Sequence, residues 1–196
     1  YSEWVNRLSS NSEEAHEFWK QQFAEITERR GFLPDVTTEK TGYGASYFRI
    51  LDVGLEKEIK QFCSEKGFTS YAFFLFAISV LFSRYEDKEQ CLVGTPNGMR
   101  NSGELESLIG LFTDLITLNV KVDKESLISE QIEKIKEMIL AAWYYSGYPI
   151  QQFFKGIKKP GETPFAIGYT HHNHNDMINN GLDNTKLDLE SISIEA

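Results

Sequence analysis

Residues 93–120 read VGTPNGMRNSGELESLIGLFTDLITLNV, and the succession of residue types in this stretch fixes how the rest of the chain must be arranged. Cys91-Leu92-Val93-Gly94 and residues 115–122 are apolar runs short enough for strands. Between them, the glycine- and asparagine-rich residues 97–103 predict a loop, and residues 105–108 a short helix. Two buried strands joined in this way need helices to cover them.

The flanking sequence supplies those helices. Upstream, Thr69 stands where an N-cap is expected, and residues 69–85 are apolar on nearly all sides. A helix without a polar face is expected to be buried all round, at the domain centre. Before it, Leu55, Ile59, Phe62 and Cys63 mark an amphipathic helix ending near Gly67, and the aromatic, β-branched run Tyr47-Phe48-Arg49-Ile50-Leu51 predicts a strand. Residues 34–44, with Pro34, Gly42 and Gly44, read as a loop. Residues 11–30 form a first helix: Asn11 or Ser12 caps it, Glu13 and Glu14 suit its positive end, and Ala15, Phe18, Trp19, Phe23 and Ile26 recur at helical spacing. Arg29, Arg30 and Gly31 stop it. Downstream, Ser126 opens a long helix striped by Ile128, Ile132, Ile135, Ile139, Ala142 and Trp143, which Gly147 and Pro149 end. Residues 155–163 read as a loop, residues 165–169 as a strand, and residues 171–184, rich in His, Asn, Asp and Gly, as an exposed loop. Helices packed on a mixed sheet, an α/β sandwich, follow from this order.

Composition narrows the function. The 196 residues suit one domain with a real core, and 41% are apolar and 13% aromatic. Twenty Lys and Arg stand against 29 Asp and Glu, a net charge of −9, so a phosphate backbone would be repelled and nucleic acid is disfavoured as a partner. The most apolar run, residues 71–82, falls short of the roughly 18 residues of a membrane span. Cys63 and Cys91 have neither CxxC spacing nor a disulfide framework, which predicts buried reduced thiols and a cytoplasmic setting.

Five stretches resemble, in order, the motifs of the condensation domains of nonribosomal peptide synthetases. Val93-Gly94-Thr95-Pro96 with Arg100, followed by Ile109-Gly110-Leu111-Phe112-Thr113-Asp114, is similar to that family's Val-Gly-x-Pro, Arg and Ile-Gly-x-Phe-Val-Asn-Thr signature. Tyr1-Ser2-Glu3-Trp4 resembles its Tyr-x-Asp-Tyr-Ala-x-Trp segment, and Glu17-Phe18-Trp19-Lys20 the helix after it. Residues 69–77, continuing to Arg84-Tyr85, resemble the buried helix before the Val-Gly-x-Pro strand, and Tyr148-Pro149 its Asp-Tyr-Pro-Phe-Glu motif. The chain departs from the pattern at Asp114 (Asn in the family), Leu115 (Thr) and Asn119 (Arg), and Thr163-Pro164-Phe165 stands without the arginines of the late motif.

The resemblance implies a chloramphenicol acetyltransferase-like sandwich, one lobe of a two-lobed domain. Residues 1–196 would be its C-terminal lobe, lacking that lobe's final strands and beginning inside a motif as a piece of a longer chain. It further implies amide formation between an acyl donor and an aminoacyl acceptor, each on the phosphopantetheine arm of a carrier protein, with no cofactor bound by this lobe. Partners would be the N-terminal lobe, peptidyl or acyl carrier proteins and a nearby adenylation domain. Arg100, Thr113, Asp114 and Tyr148 would line the substrate tunnel, the general base would come from the other lobe, and this lobe alone would be inert.

Two alternatives stay open: a noncatalytic carrier-binding or scaffolding module, and an epimerising or cyclising relative. A further site reading rests on His171-His172-Asn173-His174-Asn175-Asp176, which has His-His-x-x-x-Asp spacing with Met177 in place of the motif's closing Gly. There His172 would act as base and Asp176 would orient the loop. A solvated loop is the competing reading. Metal binding by these side chains is disfavoured, since neighbours on one strand point to opposite faces. His16 is expected on a helix surface. No Gly-x-Ser-x-Gly or Gly-Lys-Ser ending occurs, which disfavours a serine triad and a phosphate-binding loop.

Overall fold

The computed structural model of the protein describes residues 13–27, 44, 46–98, 109–110, 112–157, 163–165 and 167–171. Helix α1 spans Glu13–Phe23, α2 Val53–Lys66, α3 Ser70–Glu86 and α4 Ile128–Tyr144, with a 3-10 turn at Ile150–Phe154. Strand β1 is Gln90–Gly98, β2 Thr113–Lys121 and β3 Ile167–Gly168.

Local chemistry sets the helix ends. Asp52 Oδ1 accepts from Gly54 N at 2.8 Å and Leu55 N at 3.3 Å, which satisfies the free first-turn donors of α2. That helix ends at Gly67, whose φ of +69° is left-handed, while Phe68 N reaches back to Cys63 O at 2.8 Å. Thr69 caps α3 by accepting from Ala72 N. Helix α4 starts two residues after the expected Ser126, because Ser126 Oγ is spent on Asp123 Oδ2 and the cap position falls to Leu127.

The sheet runs β2-β1-β3, with β2 antiparallel and β3 parallel to β1, so it is mixed as expected. Cys91 through Thr95 and Ile116 through Val120 are buried without alternation, so both faces of the hairpin are covered. On one face Cys91 bonds Ser79 and Thr95 bonds Tyr71, both of α3, which also packs on α4. On the other, Phe165 lies against Gly94, and Asn119 Nδ2 donates to Gln22 O of α1. Trp19, Phe23 and Phe154 extend the core from that side. Both cysteines are buried and free, and burial pushes the Cys91 thiol up to about 12 against a partial offset from Ser79.

Four expectations are corrected. Residues 47–51 form no strand: Phe48 and Ile50 are 88% and 94% exposed, because strand-forming side chains alone provide no partner to pair with. Helix α3 is not enclosed on all sides, since Leu81 and Tyr85 stand more than half exposed while Leu75 and Phe82 are buried. Of the α4 stripe, Ile128 and Trp143 are exposed, and the four residues between them form the buried seam. The first helix, expected to run on to a stop at Arg29, Arg30 and Gly31, already ends at Phe23, where Ile26 N turns back to Phe23 O at 3.0 Å. The expected caps Asn11 and Ser12 and the short helix at 105–108 lie outside the described residues. Among the described residues, no single helix is long and apolar enough to cross a membrane.

Candidate functional site at the end of the hairpin

The register of β1 against β2 gathers the polar groups. Thr95 pairs with Ile116, Asn97 with Asp114 and Gly98 with Thr113. Directly opposed residues share a sheet face, and side chains two apart return to it, so Thr95, Asn97, Asp114 and Ile116 all project toward α3. There Tyr71, in the first turn of α3, meets Thr95 with 2.6 Å between the two hydroxyl oxygens. Tyr169, just past β3, donates its hydroxyl to Tyr71 O at 3.1 Å and packs ring against ring at 4.9 Å.

Aromatic surfaces complete the group. His171 stands edge-on to Tyr71 at 6.4 Å and stacks on Phe74 at 6.0 Å, and Trp143 of α4 lies 6.1 Å from Tyr71. Thr113 is exposed and Asp114 half-buried, with Asp114 Oδ1 accepting from Leu115 N at 2.8 Å. Desolvation raises the phenol pKa of Tyr71, which its bond to Thr95 partly offsets, and that of Tyr169, which the neighbouring Tyr71 raises further. Both phenols therefore stay neutral near pH 7. They can donate and accept hydrogen bonds but cannot act as resting bases, so this end of the sheet is suited to binding and orienting a polar chain.

The expected site residues separate into groups. Thr113 and Asp114 lie at the hairpin end, whereas Tyr148 sits with α1 and the 3-10 turn: its hydroxyl is 2.7 Å from His16 Nδ1, accepts from Gln152 Nε2 at 2.9 Å, and its ring stacks on Phe153. His16 is on the helix surface as expected. Arg100, His172 and Asp176 lie outside the described residues, as does His174. Among the described residues no three His, Cys, Asp or Glu side chains converge. Tyr71 and Trp143 escaped the sequence reading because helical periodicity counts them as core. The usable signal was that tyrosine keeps a polar tip which must find a partner when buried.

Replacing Tyr71 by phenylalanine is expected to leave the Thr95 hydroxyl buried without its partner, at about 1–3 kcal/mol in urea unfolding. The pH profile checks the assignment. A phenol whose pKa is raised on folding stabilises the native state fully below its unfolded value near 10, and that contribution is lost as pH rises through the folded value. Tyr71→Phe removes one such group, so its stability falls less steeply above pH 10 than that of the parent.

The condensation-domain family model matches residues 1–186. Malpinin synthetase of Mortierella alpina is 28% identical over 145 residues, 71% of this chain and 2% of that protein. Surfactin synthase subunit 1 of Bacillus subtilis (strain 168) is 23% identical over 163 residues, 82% of this chain and 4% of that protein. Thus the chain spans only a few per cent of the length of these relatives. Among solved structures, the X-domain from teicoplanin biosynthesis superposes with a TM-score of 0.71 at 18% identity, over 86% of this chain and 40% of that one. The first condensation domain of the calcium-dependent antibiotic synthetase gives 0.59 at 14% identity, over 85% and 38%. These likenesses bear out the acetyltransferase-like sandwich of a mixed sheet and packed helices. Carrying the Val-Gly-x-Pro strand as β1 and the Ile-Gly-x-Phe segment at the start of β2, and matched over residues 1–186, the chain belongs to the condensation-domain family of nonribosomal peptide synthetases.

Proposed function

We propose that this chain is the C-terminal lobe of a domain that joins an acyl donor to an aminoacyl acceptor, each tethered to a carrier protein through phosphopantetheine. The acceptor amine attacks the donor thioester: a C–N bond forms, the C–S bond breaks, the amine proton passes to a base, and the released thiol is protonated. The base comes from the N-terminal lobe. This lobe provides one wall of the channel, lined by Arg100, Thr113, Asp114 and Tyr148; Thr113 and Asp114 are at the hairpin end and Tyr148, its hydroxyl held by His16 and Gln152, stands apart from them. Carriers dock on its outer surface, an adenylation domain lies nearby, and the assembly works in the cytoplasm.

The observation that carries this reading is the register that sets Asp114 opposite Asn97 beside the Tyr71–Thr95 pair, leaving the half-buried Asp114 carboxylate and the partly exposed Tyr71 ring at one end of the sheet. Coverage of 38–40% of the solved chains supports the assignment to part of a domain. Such a site acts mainly by holding two reactants together, and half a channel cannot do so.

The test is amide formation between donor-loaded and acceptor-loaded carriers, with this chain alone and with a complementary N-terminal lobe. No product is expected alone and turnover together, and Asp114→Ala should lower that turnover about tenfold or more without moving the unfolding midpoint. Turnover by the chain alone, abolished by His172→Ala, would sink the proposal.

A noncatalytic docking module is the second reading. It is favoured by the engagement of Asp114 Oδ1 with its own backbone neighbour and by the departures at Asp114, Leu115 and Asn119. The teicoplanin X-domain, similar in fold, has been solved in complex with OxyB. Saturable carrier binding with no turnover in the two-lobe assay would establish this reading instead.

A further inference from the structure

A recess of about 360 Å³ lies at the outer edge of β2, between α1 and α4 and apart from the Tyr71–Asp114 group. Its volume is near the lower end of the roughly 300–1,000 Å³ typical of small-molecule sites. Asn119 lines it and is only 5% exposed. The Nδ2 of that side chain donates to Gln22 O at 2.8 Å, which fixes the orientation of the amide. Its Oδ1 is buried and has no hydrogen-bond partner among the described residues. A buried acceptor left unmade is costly, so a donor is needed there.

The other walls say what kind of donor. Gln131 cannot serve, since its Oε1 accepts from Asp123 N and its Nε2 donates to Asp123 O and Ser126 O. Val120, Ile135 and Met138 give an apolar lining. Lys121 and Lys134 stand at the rim beside the Asp123 carboxylate, whose oxygens accept from Glu125 N and Ser126 Oγ and which attracts Lys134. Lys121 Nζ is held by Glu25 Oε2 at 2.8 Å, whereas Lys134 makes no hydrogen bond to Asp123, which leaves Lys134 as the nearer match for an added anion. A neutral N–H, an apolar tail and a carboxylate together satisfy the recess.

The geometry points to a binding site for a small N-acyl amino acid, whose amide N–H donates to Asn119 Oδ1, whose acyl chain covers Val120, Ile135 and Met138, and whose carboxylate pairs with Lys134. This site does not depend on the proposed amide-forming reaction and can fail or hold without it. The probe is N-butyrylglycine, titrated into the isotopically labelled 196-residue chain. Saturable shifts are expected at the Asn119 side-chain amide and the Met138 methyl. N-butyrylsarcosine, which lacks the amide hydrogen, should bind at least about tenfold more weakly, because a site built around a hydrogen bond rejects an analogue that cannot make it. Asn119→Leu should weaken N-butyrylglycine by about the same factor, and Lys134→Ala about threefold to tenfold. If Asn119→Leu fails to fold, the comparison of the two probes on the unaltered chain still decides. Equal affinity for both probes, shifts confined to other parts of the protein, or an ordered water as the sole partner of Oδ1 would overturn the assignment.

Discussion

Trp19→Ala is expected to destabilise the fold by about 3–5 kcal/mol, the range for deleting a large buried aromatic side chain. Trp19 is 1% exposed, stacks on Phe23 at 5.5 Å, meets Phe18 edge-on at 4.9 Å, and donates Nε1–H to Tyr145 O at 3.1 Å. That last bond ties α1 to the chain leaving α4, so the alanine variant loses packing and leaves a carbonyl unpaired in one step. Against a typical domain stability of about 5–15 kcal/mol, the loss is a large share of the total. Urea unfolding followed by far-UV circular dichroism measures it. Trp19→Phe separates the two contributions: it keeps most of the ring contact but cannot donate, and should cost about 1–2 kcal/mol. A loss below about 1 kcal/mol for the alanine variant would mean that α1 is only loosely docked.

Gly94→Ala is the second substitution with a large expected effect, and here the cause is too little space. A Cβ at that position would lie 2.1, 2.2 and 2.5 Å from Cζ, Cε2 and Cε1 of Phe165. The ring belongs to the core and must shift to make room, so overpacking should cost about 1–3 kcal/mol. The consequence spreads, because Gly94 also pairs with Gly168 and accepts from Tyr169 N at 2.8 Å. Displacing Phe165 therefore pulls on the residue whose hydroxyl anchors Tyr71. A double-mutant cycle tests this: Phe165→Leu should make Gly94→Ala markedly less harmful, giving a coupling of about 1 kcal/mol or more. Strict additivity would show that the clash is relieved elsewhere.

The helices were legible wherever apolar period and capping chemistry agreed. Leu55, Ile59, Phe62 and Cys63 with Asp52 and Gly67 fix α2 from local information alone, and the same holds for Thr69 and α3. The run at residues 47–51 misled because β-propensity records fit to a sheet that has to exist nearby, and a string of residues does not report whether it does. Solvent on Leu81 and Tyr85 was hidden for a related reason: periodicity shows which residues are apolar but not whether a neighbour reaches them. At the candidate site, Thr113 and Asp114 were found through motif order. The Tyr71–Thr95 bond, the parallel placement of β3 and the His16–Tyr148 contact across 132 residues depend on tertiary approach, for which no local pattern codes.

The parallel pairing of β1 with β3 also sets a timetable for the nascent chain. Val93 pairs with Ile167, a separation of 167 − 93 = 74 residues, whereas β2 is joined to β1 by a far shorter connection. At ribosomal speeds of about 5–20 residues per second, the first two strands wait several seconds for the third. Over that interval Gly94 has no ring against it and Tyr71 no hydroxyl on its carbonyl, so an edge of the newborn sheet stays open to foreign strands and to chaperones.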